Sequence, residues 1–250
     1  MEHEIIRHIE ALTARVWPAA ETGNFGGWAA GLDAGVTGRA NSVLPNAWTG
    51  DLAVEDAIRE AERRYAAHGL DTLFKLTGAS LPEGLDGMLA ARGYVLRGAP
   101  VTVMTVRPEI LRDTCPRNHP VRHLEAPTRA WCEAAGWAGS EREIRLAIAR
   151  RIAPPRSFAL VEENGAPVGA AILSASGEWA CICSLNIVPA RRSQGFGRSI
   201  MAELATWAPA RGARRIFLQV EGENSIARSL YERLGWERAY DYHYRRKPRT

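Results

Sequence analysis

The chain has 250 residues, of which 46% are hydrophobic, and a formal net charge of +4. That length suits one large or two ordinary domains with a sizeable core. No apolar run approaches a membrane span, the opening MEHEIIRHIE lacks the basic and apolar regions of a signal peptide, and four cysteines suit reduced thiols better than a disulfide framework. Neither an integral membrane protein nor a disulfide-stapled secreted domain is expected from these features, and a cytoplasmic protein is the expectation.

Residues 4–16 place Ile5, Ile6, Ile9, Leu12 and Val16 on one side of a helix that stops before Pro18. Glycine-rich turns then bracket a strand over 28–32, and a second strand over 36–44 contains Arg39, Asn41 and Ser42 and ends at Pro45. Asp51 is an N-cap for a helix running to His68, which Gly69 closes. A strand over 73–77, a helix over 82–91 closed by Gly93, and a longer strand over 95–106 follow. Residues 107–127 carry Pro108, Pro116, Pro120 and Pro127 and read as a linker. Beyond it come helical segments over 128–135 and 140–152, containing or bordering Trp131 and Trp137. A hairpin over 158–174 turns at Asn164-Gly165, and a strand over 178–188 follows it. Cys181 and Cys183 alternate with Ile182 on that strand, so both sulfurs share a face. Buried inert cysteine is the simplest role for them.

The strand ending at Val188-Pro189 runs into Arg192-x-x-Gly195-x-Gly197, and an amphipathic helix begins at Arg198 with Ile200, Met201, Leu204 and Trp207. Strand, glycine turn and helix are the parts of a phosphate cradle: glycine lets the backbone approach a ligand, and the unpaired N–H groups of the first helical turn face the anion. A second block follows the strand over 215–220: Asn224-x-x-Ala227-x-x-x-Tyr231, then Leu234-Gly235-Trp236. Together the blocks resemble the acetyl-CoA signatures of the GNAT N-acetyltransferase superfamily, the first of which has the form Gln/Arg-x-x-Gly-x-Gly/Ala.

The resemblance implies an α/β (α+β) fold with a mixed, mostly antiparallel twisted sheet flanked by helices. It also implies that acetyl-CoA is the cosubstrate. Backbone N–H groups of Ser193, Gln194, Gly195, Phe196, Gly197, Arg198 and Ser199, with the Arg192 charge, would take the pyrophosphate. The end of the preceding strand (Asn186, Ile187, Val188) would pair with the pantetheine amides, in a gap where this strand splays from the next. Asn224 would cap its helix or touch the pantetheine, and Tyr231 would lie against the bound cosubstrate as general acid toward the thiolate. A phenol with a pKa near 10 is suitably protonated at neutral pH. The general base is less determined: the family's usual glutamate position falls near Cys181, which leaves Glu178 and Glu221, acting through a water, as candidates. No metal is called for.

The first half echoes the second. Pro45 to Gly69 parallels Pro189 to Gly212, and Leu89-Ala-Ala-Arg-Gly-Tyr94 parallels Tyr231-Glu-Arg-Leu-Gly-Trp236. The first copy has Asn46-Ala-Trp-Thr-Gly-Asp51 where the phosphate loop would be, with one glycine, no arginine and a carboxylate. Two tandem GNAT-like domains are therefore expected: a degenerate one over 1–112, a linker over 113–127, and an acetyl-CoA-binding one over 128–250. The expected reaction is direct acetyl transfer to a primary amine. The alternative is a non-catalytic acyl-CoA-binding or sensing protein. A small-molecule amine is the favoured acceptor and a protein amine the other candidate; neither membrane nor nucleic acid is expected as a partner. The basic tail from Tyr244 to Arg249 reads as a solvated terminus, and the aromatic run before it as a final strand hairpin.

Overall fold

A computed structural model describes residues 2–249; Met1 and Thr250, the outer limits of the expected domains, lie outside the described residues. Helix α1 (Glu2–Val16) carries Glu2 and Glu4 in its first turn and Arg15 in its last, as the helix dipole favours, and buries Ile6, Ile9, Leu12 and Val16. Strands β1 (Glu21–Phe25) and β2 (Trp28–Leu32) form a hairpin. It turns at Gly26 and Gly27, whose φ values of +60° and +99° suit glycine. β1 escaped the sequence reading because it is an exposed strand that buries only Phe25.

β3 covers only Val43–Leu44 rather than residues 36–44. Before it, Gly38–Ala40 form a helical turn that Asn41 secures: Nδ2 donates to the Thr37 carbonyl at 2.8 Å, and Oδ1 accepts from Asp33 and Gly35 at 2.8 and 3.0 Å. Helix α2 (Val54–Ala67) is entered through Ala53, not Asp51. Then come β4 (Thr72–Thr77), α3 (Leu85–Ala91) and β5 (Val95–Leu96). The single strand expected over 95–106 is interrupted at Gly98, with φ +67°, and resumes as β6 (Val101–Val106).

The expected linker is largely ordered. It contains α4 (Pro108–Thr114), with Pro108 in its first turn, and β7 (Arg122–Leu124). There follow α5 (Arg129–Ala134), α6 (Glu141–Arg151), β8 (Arg156–Glu163), β9 (Ala166–Ser176), β10 (Trp179–Ile187) and α7 (Phe196–Trp207). The chain closes with β11 (Arg215–Glu221), α8 (Ser225–Arg233) and one long strand, β12 (Glu237–Lys247), in place of a hairpin.

Two compact units result, and their limits differ from the expected cuts at 112 and 128. The first holds residues up to Thr102, Glu221–Glu223, and the chain from Tyr240 onward. Its strands run β1-β2-β3-β4-β12, with β5 also on β12. Trp28, Ile58, Tyr65, Phe74 and Leu89 form its core. The basic tail is not frayed: it pairs antiparallel with β4 from Tyr242↔Thr77 to Lys247↔Thr72. Its charges are matched, Arg245 to Asp86 at 2.7 Å, Arg246 to Asp71 at 2.7 Å and Lys247 to Glu62 at 3.0 Å. The Arg245 guanidinium, helped by His243, holds the Asp86 carboxyl down at about 2.

The second unit holds Val103–Val220 and Asn224–Ala239, with strand order β6-β11-β10-β9-β8-β7. The pairs from β7 to β10 are antiparallel and β10–β11 is parallel. α4 belongs to this unit, burying Leu111 and donating from the Thr114 hydroxyl to the Leu234 carbonyl at 3.1 Å. Each unit therefore contains the same crossover: β3–α2–β4 in the first and β10–α7–β11 in the second, parallel strands joined through a helix.

Candidate active site

The second unit opens its sheet at one place. β10 and β11 are paired at Trp179↔Arg215, Ala180↔Ile216 and Cys181↔Phe217, and there the ladder stops, although both strands continue. On its other edge β10 stays joined to β9 as far as Ile187↔Gly169, across a bulge between Cys183 and Asn186. Ser184 sits in that bulge with φ +52°, a conformation uncommon for a residue with a Cβ. A cleft therefore opens between the C-terminal ends of two parallel strands, where ligands of open α/β sheets bind.

At the head of this cleft the chain turns through Pro189–Arg191 into the loop before α7. Ser193 and Gly195 both have positive φ, +62° and +91°. Gly195 is the N-cap of α7 and offers no side-chain acceptor, and no acidic residue lies in the first turn. The leading N–H groups of a twelve-residue helix are thus left without a side-chain partner. A Cβ added at Gly197 would meet only Ile187, at 3.8 Å, so the space beside this turn is open. Gln194, Arg192 and Arg198 are exposed around it. These features fit a phosphate group.

Several expected contributors have other duties. Asn186 donates from Nδ2 to the Ala134 carbonyl at 2.7 Å, which ties the end of β10 to α5. The Ile187 carbonyl accepts from Arg192 Nε at 3.1 Å, and the Val188 N–H donates to the Val168 carbonyl at 2.9 Å. Phe196 and Ser199 are buried, at 1% and 0% exposure, so only their backbones are candidates for ligand contact. Arg191 is held by Glu163 at 2.6 Å.

The sequence reading missed His119, which fell in the supposed linker. Its backbone N–H donates to Ser199 Oγ at 3.1 Å, its ring stacks on Phe196 at 3.9 Å, and its Nε2 lies 3.1 Å from the Gln194 carbonyl. His119 braces the loop at the peptide preceding Gly195. No motif spacing signals such a residue, because its relation to the loop exists only once α4 has packed on α7.

Tyr231 lies on α8, whose N-cap is Asn224; the Asn224 side chain accepts from the Ala227 N–H at 3.1 Å. The phenol is half-buried against the core, with its ring 6.0 Å from that of Trp236, and burial pushes its pKa up to about 12. Among the described residues its hydroxyl has no hydrogen-bond partner. The phenol is kept neutral at physiological pH and its hydroxyl is left uncommitted.

Glu178 requires correction as a candidate base. It precedes β10 at the end opposite the cleft, its carbonyl accepts from Arg214 and Arg215, and its exposed carboxylate faces Arg214 at 3.3 Å. At about 3.3 Å per residue along a strand it is some 20 Å from the bulge at Ser184. Glu221, exposed at the end of β11, groups with the first unit. Cys181 and Cys183 are buried and outside any disulfide, as are Cys115 and Cys132. Trp131 and Trp137 are core residues stacked edge to face at 4.9 Å, with Trp131 Nε1 donating to the Ala159 carbonyl at 2.9 Å. Among the described residues no cluster of His, Cys, Asp and Glu could hold a metal, and no helix is long and apolar enough to cross a membrane.

The first unit lacks this cradle. β3 and β4 pair only at Val43↔Phe74, but α2 begins with Glu55 and Asp56 in its first turn. Those carboxylates complement the helix dipole and would repel a phosphate. The loop before it is occupied by Trp48, whose ring lies tilted against that of Trp28 at 4.8 Å.

A parallel pair splayed at its end, with an uncapped helix entry beside the gap, defines an acetyltransferase-type fold of the GNAT class. Residues 4–246 match the family model described as "Probable histone acetyltransferase Rv0428c C-terminal", and the chain belongs to that family of GNAT-type N-acetyltransferases. It is 29% identical over 247 residues to the uncharacterized N-acetyltransferase YobR of Bacillus subtilis (strain 168), covering 97% of this chain and 98% of that protein. Streptothricin acetyltransferase of Streptomyces lavendulae is 33% identical over 86 residues, 34% of this chain and 46% of that protein. Among solved structures, a GCN5-related N-acetyltransferase from Kribbella flavida shares the fold with a TM-score of 0.72 at 19% identity, covering 98% of this chain and 96% of that one. A tandem GNAT protein from the clavulanic acid biosynthesis pathway does so with a TM-score of 0.66 at 11% identity, covering 97% and 88%.

Proposed function

We propose that the second unit transfers the acetyl group of acetyl-CoA directly to a primary amine. The observation that carries this reading is the end of the β10–β11 ladder at Cys181↔Phe217, beside an α7 entry with no side-chain cap and no acidic residue. Residues 193–198 supply backbone N–H groups for the pyrophosphate, with Arg192 and Arg198 adding charge. The opened edge of β10 offers backbone groups to the pantetheine amides, in the manner of an added strand. Asn224 fixes the start of α8 and thereby the position of Tyr231.

In the reaction the amine nitrogen forms a bond to the acetyl carbon and the carbon–sulfur bond breaks. The sulfur leaves as a thiolate, and the Tyr231 hydroxyl gives it a proton. A phenol held near pKa 12 is fully protonated at neutral pH and gains a proton back from solvent between turnovers. No side-chain base is assigned: the amine enters in its neutral form, and its surplus proton passes to water. A small-molecule amine is the proposed acceptor, in keeping with the streptothricin acetyltransferase relative and with the absence of an acidic docking cluster in the sequence.

Calorimetric titration of acetyl-CoA into the wild type and into Gly197→Glu tests the cofactor assignment. The open space at Gly197 lets the variant fold while its carboxylate confronts the pyrophosphate. Micromolar binding by the wild type and at least a hundredfold loss in the variant are expected. Equal affinity in the two proteins would remove the loop from the site.

A further inference from the structure

The first unit contains a second, separate constellation. A cavity of about 150 Å³ lies between α1, the β1–β2 hairpin and β4, with Ala14, Trp17, Ala30 and Leu44 among its apolar walls. Three charged side chains reach it: Glu10, Arg39 and Lys75. Glu10 and Lys75 are 1% and 3% exposed and form an ion pair, so both charges are removed from water.

Both Glu10 oxygens are engaged, the second accepting from the Tyr240 hydroxyl at 2.8 Å. Lys75 is not. An ammonium has three N–H groups; one serves Glu10, the ion lies 3.8 Å from the face of Tyr242, and no further oxygen receives it. Arg39 rests on the Trp17 ring at 4.4 Å and has no carboxylate partner among the described residues. Ser42 also lines the cavity, is 5% exposed, and spends only its carbonyl, which accepts from the Gly31 N–H at 3.0 Å. Lys75 is moreover pushed toward its neutral form chiefly by burial, with Arg39 adding repulsion and Glu10 opposing both.

Arg39 and Lys75 face one carboxylate in a half-open cavity, with unspent donors on a buried amine and a buried hydroxyl. A buried charge imbalance of this kind is relieved by a counter-charge of opposite sign. We propose that this cavity binds a short-chain organic carboxylate, its oxygens on Arg39, Lys75 and Ser42 and its alkyl part against Trp17 and the small apolar walls. The volume admits acetate or propionate and rejects a nucleotide. The site is independent of the acetyl-CoA cleft and of the reaction proposed for it.

Sodium propionate titrated into the full-length protein tests this, followed by ligand-observed NMR at constant ionic strength, with saturating coenzyme A present to occupy the other unit's cleft. Saturable millimolar binding is expected, weakened at least tenfold in Arg39→Gln, less in Arg39→Lys, and severalfold in Ser42→Ala. Propylammonium chloride should not bind. Absence of saturable propionate binding, equal affinity in Arg39→Gln, or equal binding of propylammonium would overturn the proposal. Should Arg39→Gln fail to fold by circular dichroism, Ser42→Ala and Arg39→Lys decide in its place: unchanged affinity in both would likewise overturn it.

Discussion

Replacing Tyr231 by phenylalanine removes one oxygen and tests the catalytic assignment with little structural disturbance. The hydroxyl has no hydrogen-bond partner among the described residues, and the ring packing against Trp236 survives the change. Loss of an unpaired hydroxyl alters stability by less than about 1 kcal/mol. Loss of a general acid lowers turnover by about 10² to 10⁴, or roughly 2.7 to 5.4 kcal/mol of barrier. The Kd for acetyl-CoA should stay within twofold, because no ground-state contact is assigned to the oxygen. Coenzyme A release can be followed with a thiol reagent, since the four cysteines of the chain are buried and contribute little background. The pH profile gives a second reading. The folded phenol, at about 12, lies above its unfolded value near 10. Its neutral form is therefore favoured by folding; that contribution is complete below pH 10 and disappears as the pH climbs through 12. Activity should rise with the fraction of neutral amine and show no alkaline limb from Tyr231 below pH 10. Turnover of Tyr231→Phe within threefold of wild type would refute the role.

His119→Ala should weaken acetyl-CoA binding by about 1–2 kcal/mol in calorimetry, because the brace on the Gln194 peptide and the Phe196 stack are lost together. Glu178→Gln should leave kcat and the unfolding midpoint unchanged, since it alters an exposed pair with Arg214 far from the cleft. Lys75→Met should destabilise the protein by about 3–5 kcal/mol in denaturant titration by stranding the Glu10 carboxylate, whereas Glu10→Leu combined with Lys75→Met should recover most of that loss. Residues 113–250 expressed alone should give no cooperative melting transition by circular dichroism, because the fragment lacks β6, the neighbour of β11, and carries Tyr242 with no β4 to pair it.

What the sequence revealed was whatever depends on neighbours along the chain. The loop from Arg192 to Gly197 and the block from Asn224 to Tyr231 keep their defining residues within a few positions of one another, so a resemblance to family signatures can be seen in them without the fold. Cys181 and Cys183 were legible as buried for a related reason: small apolar residues at strand period have one common fate. Glu178 was misread because sequence proximity to the motif says nothing about which end of a strand a residue occupies. His119 and the pairing of β12 with β4 were unreadable in principle. The first acts through a loop 75 positions away, and the second joins β12 to a sheet whose other strands are built from the first hundred residues. Charge density misled at the tail, where Arg245, Arg246 and Lys247 look solvated until Asp86, Asp71 and Glu62 meet them.

The two crossovers separate what makes this scaffold stable from what makes it reactive. Helix α2 has Glu55 and Asp56 in its first turn, and its entry loop is filled by Trp48. Each carboxylate there stabilises the helix by about 0.3–1 kcal/mol through the dipole. Helix α7 forgoes that stabilisation: its N-cap is a glycine at φ +91°, its first turn holds no acid, and a second glycine follows Phe196. An unfilled helix entry is a local weakness in the free protein, tolerated because α7 is otherwise anchored by Ile200, Met201, Leu204 and Trp207 in the core. The same open donors become an asset when an anion arrives, and a ligand that binds only the folded state returns the missing stability by mass action. The unit that gave up this vacancy is the one whose interior holds Glu10, Lys75 and Arg39 out of balance. In both units, then, the positions that depart from the most stable local choice are the ones where a ligand would restore it.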